Sequence, residues 1–388
     1  MGTFSYITFA NYPAFSEKNG YYPEIVNLLF QPSDFICERR RYNTRNKIFW
    51  GDAYNKESGF FEFKGFVQSV KVCKERLAIF GNSYKSAKKD FSSTKRQYKD
   101  EFSYSLSNFK YDDYLLEIKS IIGQEELKNL KFFHIRENLI SDELAIYGQN
   151  ISCLIYSILS ILKDDDIVEY DLTDIINDGW VNEDHVKSVN IEKIIVLTEG
   201  KTDVEFISKS IEKLFPYLKD YYHFIDFEEY EVKIESSASA LVKLVTSFAA
   251  TKVKHPIIVL FDNDTSGIKE MKKLTSMIIP PNIRVLKYPD IRLANNYPTV
   301  GPSGKKKMNV NGYACSIEMY LGVDILTRDD ELIPIQWKGY ENKEKKYQGE
   351  IADKRHVQET FKKKLMSSDL VEMSEMRQLL DRLFRAFI

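Results

Sequence analysis

The second half of the chain carries the clearest hydrophobic pattern. Residues 194–198 (IIVLT) and 257–261 (IIVLF) are short, unbroken, β-branched apolar runs, the mark of strands buried on both faces of a parallel sheet. Around them, apolar positions recur at helical spacing. Val204, Phe206, Ile207, Ile211, Leu214 and Phe215 mark one helix, residues 238–249 a second and 266–277 a third. Residues 283–286 (IRVL) predict another strand. Strand and helix taken in turn, ending on a strand, is the order of a doubly wound α/β domain. Ligands of such sheets sit beyond the carboxyl ends of the strands.

The first half is mixed and reads as largely helical. Residues 60–72 (FFEFKGFVQSVKV) alternate in part and predict a strand, while 84–106, 122–133 and 151–162 predict helices. Phe91, Tyr98, Phe102 and Tyr104 recur at roughly helical spacing and are expected in the core. Residues 163–184 are dense in Asp and Glu with little basic balance, which reads as a solvated acidic connector. A boundary is expected near residue 190. This divides the chain into an N-terminal region (1–190), an α/β domain (191–325) and a basic helical extension (326–388) packing on that domain.

Composition narrows the class. A chain of 388 residues accommodates two or three domains. Its formal net charge of −2 lacks the global basic field of a DNA-coating protein. The four cysteines (Cys37, Cys73, Cys153 and Cys315) form no CxxC pair, so neither a zinc site nor a disulfide framework is expected. Residues 1–12 lack the pattern of a signal peptide, and the longest apolar stretch, 151–162, is too short to span a bilayer. A cytoplasmic protein without membrane attachment is expected.

Chemistry gathers at the strand ends. Glu199, Gly200, Lys201, Thr202 and Asp203 follow the first apolar run, and Asp262, Asn263 and Asp264 follow the later one. Asp203 falls in a first helical turn, where the amide dipoles favour negative charge. Alternate residues of an extended segment face one way, so Asp262 and Asp264 present two carboxylates to one point. Converging carboxylates repel unless a cation joins them, and hard divalent cations take oxygen ligands. A metal or a basic partner is therefore expected, and the leading reading is one or two Mg²⁺ or Mn²⁺ ions. The simpler reading makes Asp203 and Asp264 helix caps.

These residues resemble a known family. IIVLTEGKTDVEFI resembles the first motif of Toprim domains, and IIVLFDNDTSG the second. The resemblance implies a four-stranded parallel sheet flanked by helices over residues 192–321, with metal-dependent phosphodiester chemistry. The segment Ser316-Ile317-Glu318-Met319-Tyr320-Leu321 resembles the SIE-x-YL segment of OLD-like, defence-associated Toprim nucleases. That likeness adds Glu318 to the implied ligands Glu199, Asp203, Asp262 and Asp264; Glu199 serves either as ligand or as general base or acid. GTFSYITFANYPAFSEKNG and VKVCKERLAIFGNSYKSAKKDF resemble the N-terminal region of HEPN/Toprim-associated proteins, which implies a bacterial antiphage effector. The Arg-to-His spacing of HEPN ribonucleases is missing around His134, His185, His223, His255 and His356. The N-terminal half is therefore expected to recognise, regulate or oligomerise.

Basic residues complete the reading. Gly301 to Lys307 (GPSGKKK) fails as a P-loop, because Thr299 and Lys306 stand where glycine and Ser or Thr are required. ATPase activity would come from a separate defence-system partner. Residues 301–307 are instead expected either as a flexible basic loop beside the metal site or as a solvated surface turn, with Lys201, Lys305, Lys306 and Lys307 as phosphate contacts in the first case. Lys354, in a second basic cluster, is the candidate for neutralising developing charge. A metal-dependent nuclease acting on DNA or RNA, transfer RNA included, is the leading expectation. A topoisomerase or primase component and a partner-dependent binding or regulatory subunit are the alternatives.

Overall fold

The computed structural model describes residues 2–41, 59–97, 106, 108–123, 133–188, 192–225, 237–302, 304–367 and 373–388. They fall into two units, Met1–Glu192 with Phe387–Ile388, and Lys193–Ala386.

The first unit is built on an antiparallel sheet as much as on helices. Its strands β1 (Phe4–Phe9), β2 (Tyr12–Lys18), β3 (Phe35–Arg41), β4 (Phe60–Ser69) and β5 (Ile167–Asp171) lie in the order β2-β1-β5-β4-β3. The middle strand, β5, comes from the acidic stretch read as a solvated connector. Val168 and Tyr170 alternate inward and are fully buried, which is what a paired strand requires. Its acids are partnered: Arg40 Nη1 donates to Glu169 Oε2 at 2.6 Å, and the Thr173 amide donates to Asp171 Oδ1 at 3.0 Å. Charge density thus concealed a central strand.

Helices α1 (Pro23–Leu29), α2 (Val70–Ile79), α3 (Tyr84–Gln97), α4 (Tyr111–Ile122), α5 (Phe133–Ser141) and α6 (Ile151–Ser160) precede two short ones, α7 (Thr173–Asn177) and α8 (Glu183–Lys187). The strand expected over 60–72 ends at Ser69, whose hydroxyl accepts from the Val72 amide and caps α2. Residues VKV therefore open a helix. Of the expected helix 84–106, the part carrying Tyr98, Phe102 and Tyr104 lies outside the described residues, as does most of the helix expected over 122–133. Phe91 is buried, as its spacing predicted. Phe66, Val168 and Tyr170 join Cys73, Leu77, Ile118, Ile155 and Ile158 in one core.

The second unit contains the parallel sheet. Its strands β6 (Ile194–Leu197), β7 (Tyr222–Phe224), β8 (Ile257–Phe261) and β10 (Ile283–Lys287) run in the order β10-β8-β6-β7, with every pair parallel. The two-residue strand β9 (Asn263–Asp264) follows β8. Helices α9 (Lys201–Leu214), α10 (Ala238–Ala250) and α11 (Thr265–Thr275) alternate with the strands. All five side chains of β8 are buried, each contributing about 1.5–3 kcal/mol of apolar burial. Leu197, Ile257, Val259 and Phe261 pack on Leu241, Val245 and Leu274.

After β10 the chain forms a second, four-stranded sheet in the order β12-β11-β16-β17, from β11 (Tyr297–Gly301), β12 (Gly304–Met308), β16 (Ile335–Glu341) and β17 (Lys346–Ile351). Between them lie β13 (Ala314–Cys315), which pairs with β9, a 3-10 turn (Ile317–Tyr320), α12 (Val323–Leu326) and the ribbon β14 (Thr327–Arg328) and β15 (Glu331–Leu332). Helices α13 (Lys354–Met366) and α14 (Ser374–Phe384) follow. The segment 326–388, expected to be helical, is thus strand in its first half. Ile335, Ile351 and the flanking aromatics supply the pleated, half-buried surface that the lysine content masked. Phe361 of α13 meets Phe206 of α9 with ring centroids 4.9 Å apart.

The four cysteines are free thiols, three buried and Cys37 exposed. Among the described residues, no helix is long and apolar enough to cross a membrane.

Candidate functional site

The parallel sheet reverses its strand order between β6 and β8. The chain leaves β6 for β7 on one side and reaches β8 on the other, so a crevice opens between the carboxyl ends of β6 and β8. Asp262 follows β8 directly, and Glu199 follows β6 after Thr198. They meet there: the Asp262 amide donates to Glu199 Oε1 at 2.9 Å.

Gly267 of α11 closes against the same point. A Cβ built on it would stand 2.6 Å from the Asp262 carbonyl oxygen and 2.7 Å from Glu199 Oε1. Backbone cannot yield cheaply at that distance, so glycine is needed for the close approach. Gly267→Ala is expected to slow any reaction at this site by about 100-fold through misplacement alone, while circular dichroism shows an intact fold. Rates within twofold of the parent would contradict this packing role. Gly200, expected to permit a tight turn, has an extended backbone with φ of −147°. Its value is space: a Cβ there would lie 3.0 Å from Asp203 Oδ2.

Asp203 is buried in the first turn of α9 and accepts from Tyr288 Oη at 2.6 Å. Asp264 is the N-cap of α11, accepting from the Gly267 amide at 2.7 Å. The capping role holds for Asp264, and its other oxygen accepts from Gln348 Nε2 at 2.6 Å. Glu318 sits on the 3-10 turn with no exposed surface. It accepts from Ser316 Oγ at 2.6 Å and Gln358 Nε2 at 2.7 Å, and Lys354 Nζ lies 3.2 Å from its Oε1.

Electrostatics tie these groups together. Burial pushes Asp262 well above the usual carboxylate range, and Asp203, Glu199, Asp264 and Glu318 push it further. Burial likewise raises Glu199 to about 8, against the Asp262 amide and with Asp264, Asp203 and Glu270 adding repulsion. Asp203 rises to about 6, mainly by burial, with Tyr288 opposing and Glu318 reinforcing. Burial pulls Lys354 down, but Glu318, Asp262 and Asp203 outweigh it and hold it charged.

The donor set suits a hard cation. It is all oxygen, as Mg²⁺ or Mn²⁺ prefers. Asp262 Oδ1 is buried without a hydrogen-bond partner, a costly state for an acid that a cation would relieve. As the side chains stand, no group of three acids, histidines or cysteines among the described residues is arranged to hold an ion. Each of the other acids instead meets a neutral or cationic donor. Closing on a cation requires those side chains to turn inward.

Residues 1–193 match the family model HEPN/Toprim N-terminal domain 1. The chain is a HEPN/Toprim-associated protein. That family points to a nuclease-related or defence-related role. Neither a curated protein nor a solved structure gave a match. In this HEPN/Toprim-associated protein the matched residues make up the first unit, whereas the carboxylates all belong to the second.

The predicted basic residues fare unevenly. Lys354 joins the carboxylates. Lys201 opens α9, two residues from Glu199, and is exposed. Lys305, Lys306 and Lys307 do not lie on a flexible loop. They form the exposed edge strand β12, paired in register with β11. The opposite edge, β17, is the one that reaches Asp264 through Gln348, so the triplet stands three strand spacings away, about 14 Å. Sequence reasoning missed Tyr288, Gln348, Gln358, Ser316 and the largely buried Glu270. For Tyr288 a signal existed: it directly follows β10, where strand-end residues face the crevice.

Proposed function

We propose that residues 193–386 carry a Toprim-type metal-dependent nuclease site, in a protein acting as an effector of bacterial antiphage defence. Asp262 carries the reading: a partly buried acid, with one oxygen buried and unpartnered, at the switch point of a parallel sheet and ringed by Glu199, Asp203, Asp264 and Glu318. Those residues would hold one or two Mg²⁺ or Mn²⁺ ions, which when bound supply charge neutralisation and Lewis-acid polarisation of a phosphodiester. Lys354, half-exposed beside Glu318, offers a cation to the charge that develops on the phosphate oxygens. Glu199, with a proton affinity near neutrality, is suited to take a proton from the attacking water or return one to the leaving oxygen. Tyr288, Gln348 and Gln358 orient Asp203, Asp264 and Glu318 respectively.

The test is cleavage of labelled plasmid, single-stranded DNA and total transfer RNA by the purified full chain, with Mg²⁺, Mn²⁺ or EDTA. Metal-dependent cleavage that disappears in Glu199→Ala is expected. Cleavage that persists in EDTA, or in a well-folded Glu199→Ala protein, would remove the proposed site.

A further inference from the structure

An aromatic ledge runs outward from the carboxylates along β16 and β17. It begins at Tyr313, the residue before β13, whose Ala314 pairs with Asp264. Tyr313 meets Trp337 with ring centroids 6.4 Å apart, Trp337 meets Tyr347 at 5.9 Å, and Tyr347 meets Tyr340 at 5.0 Å. The last two are 49% and 53% exposed for Tyr340 and Tyr347 respectively. Gly301 and Gly349 flank Trp337 on the neighbouring strands; a Cβ at either would come within 3.0 Å of the indole. Glycine at both positions leaves the ring room across the sheet.

Charge accompanies the ledge. Lys338, Lys269 and Lys272 are paired with Glu350, Glu341 and Glu344. Lys343, Lys345 and Lys346 make no ion pair with the described residues, and Lys346 Nζ lies 4.8 Å from the Tyr313 ring centroid. Exposed rings with unneutralised lysines beside them match the chemistry of an unpaired base on a sugar–phosphate chain. A duplex hides its base faces and cannot use such rings.

We propose that single-stranded nucleic acid stacks its bases on Tyr340 and Tyr347, with phosphates against Lys343, Lys345 and Lys346. The strand is thereby led past Tyr313 toward Asp264. That this strand is the substrate rests on the nuclease reading above; the stacking itself does not.

Fluorescence anisotropy in EDTA tests it, with the full chain and labelled oligothymidylate, oligouridylate and a duplex of equal length. At least one single strand is expected to bind about tenfold or more tighter than the duplex, and the tighter of the two names the sugar. Tyr340→Ala with Tyr347→Ala should weaken that binding by about tenfold or more, while the corresponding Phe variants keep it. Lys343→Glu with Lys345→Glu, on the exposed turn, should weaken it without touching the sheet. Binding unchanged in the Ala or Glu variants, tighter binding of duplex, or no single-strand binding by the parent would each overturn the proposal. Glu199→Ala separates the two readings. Should the parent fail to cleave any substrate while Glu199→Ala still binds single strands, the nuclease reading falls and the ledge stands. Should cleavage proceed unaltered in the Tyr→Ala variant, the ledge falls and the nuclease stands.

Discussion

Asp262→Asn is expected to reduce metal-dependent cleavage by about 10³-fold or more, the scale lost when a preorganised charge-stabilising group is removed. Asn keeps the shape of the side chain but gives up the charge. The site would retain Glu199, Asp203, Asp264 and Glu318, yet lose the acid that faces all four and has no hydrogen bond on Oδ1. The fold should survive, because that oxygen anchors nothing. Its amide bond to Glu199 is a backbone contact and stays. At high pH the metal-free variant should be at least as stable as the parent, since a buried, repelled acid is destabilising once ionised. Parallel cleavage assays and thermal melts check both halves. A variant that cleaves like the parent would show that Asp262 is only a buried acid.

The second large effect is a coupling of pH, metal and stability. Glu199, Asp203 and Asp262 all have proton affinities raised above those of an unfolded chain. The folded, metal-free protein therefore holds more protons than the unfolded chain between about pH 4 and pH 8. A raised acid contributes stability that is complete below its unfolded value and is lost as pH rises through its folded value. In EDTA the melting temperature should accordingly fall between pH 6 and pH 8.5, by several degrees (~) for a change of 1 to 2 kcal/mol. A divalent cation bound at the proposed site would displace those protons, so Mg²⁺ or Mn²⁺ is expected to flatten the curve and raise it most at the alkaline end. Scanning fluorimetry across that range, with EDTA or Mg²⁺, reads both. A melting temperature in EDTA that is level or rising with pH would contradict the raised acids.

The core of the site was legible because buried parallel strands announce themselves. β6 and β8 are unbroken apolar runs, and an acid follows each within two residues, Glu199 after Thr198 and Asp262 at once. A pleat buried on both faces tolerates nothing polar until the strand ends. β7 was implied only by the order of elements, since a three-residue edge strand lacks the length to show a period. β5 was hidden by acids whose partners lie far along the chain, such as Arg40 for Glu169. Distance along the chain also hid Gln348 and Gln358, which reach Asp264 and Glu318 across 84 and 40 residues. The same is true of the buried pair Arg76 and Asp34, joined at 2.5 Å across 42 residues. Local pattern shows which residues end a strand; it does not show which distant side chain will turn to meet them. The loop placement of the basic triplet at Lys305 failed for the complementary reason. A run of lysines reads as a loop, yet an edge strand exposed along its length carries such a run, and charged edges block unwanted pairing.

The most direct test of the metal site is titration of Mn²⁺ into the full chain near pH 8, followed by electron paramagnetic resonance of the free ion. The parent protein is expected to take up one or two ions, and Asp262→Asn and Glu199→Ala to take up none at the same concentrations. Equal uptake by parent and variants, or none by the parent, would contradict a divalent-cation site at the ends of β6 and β8.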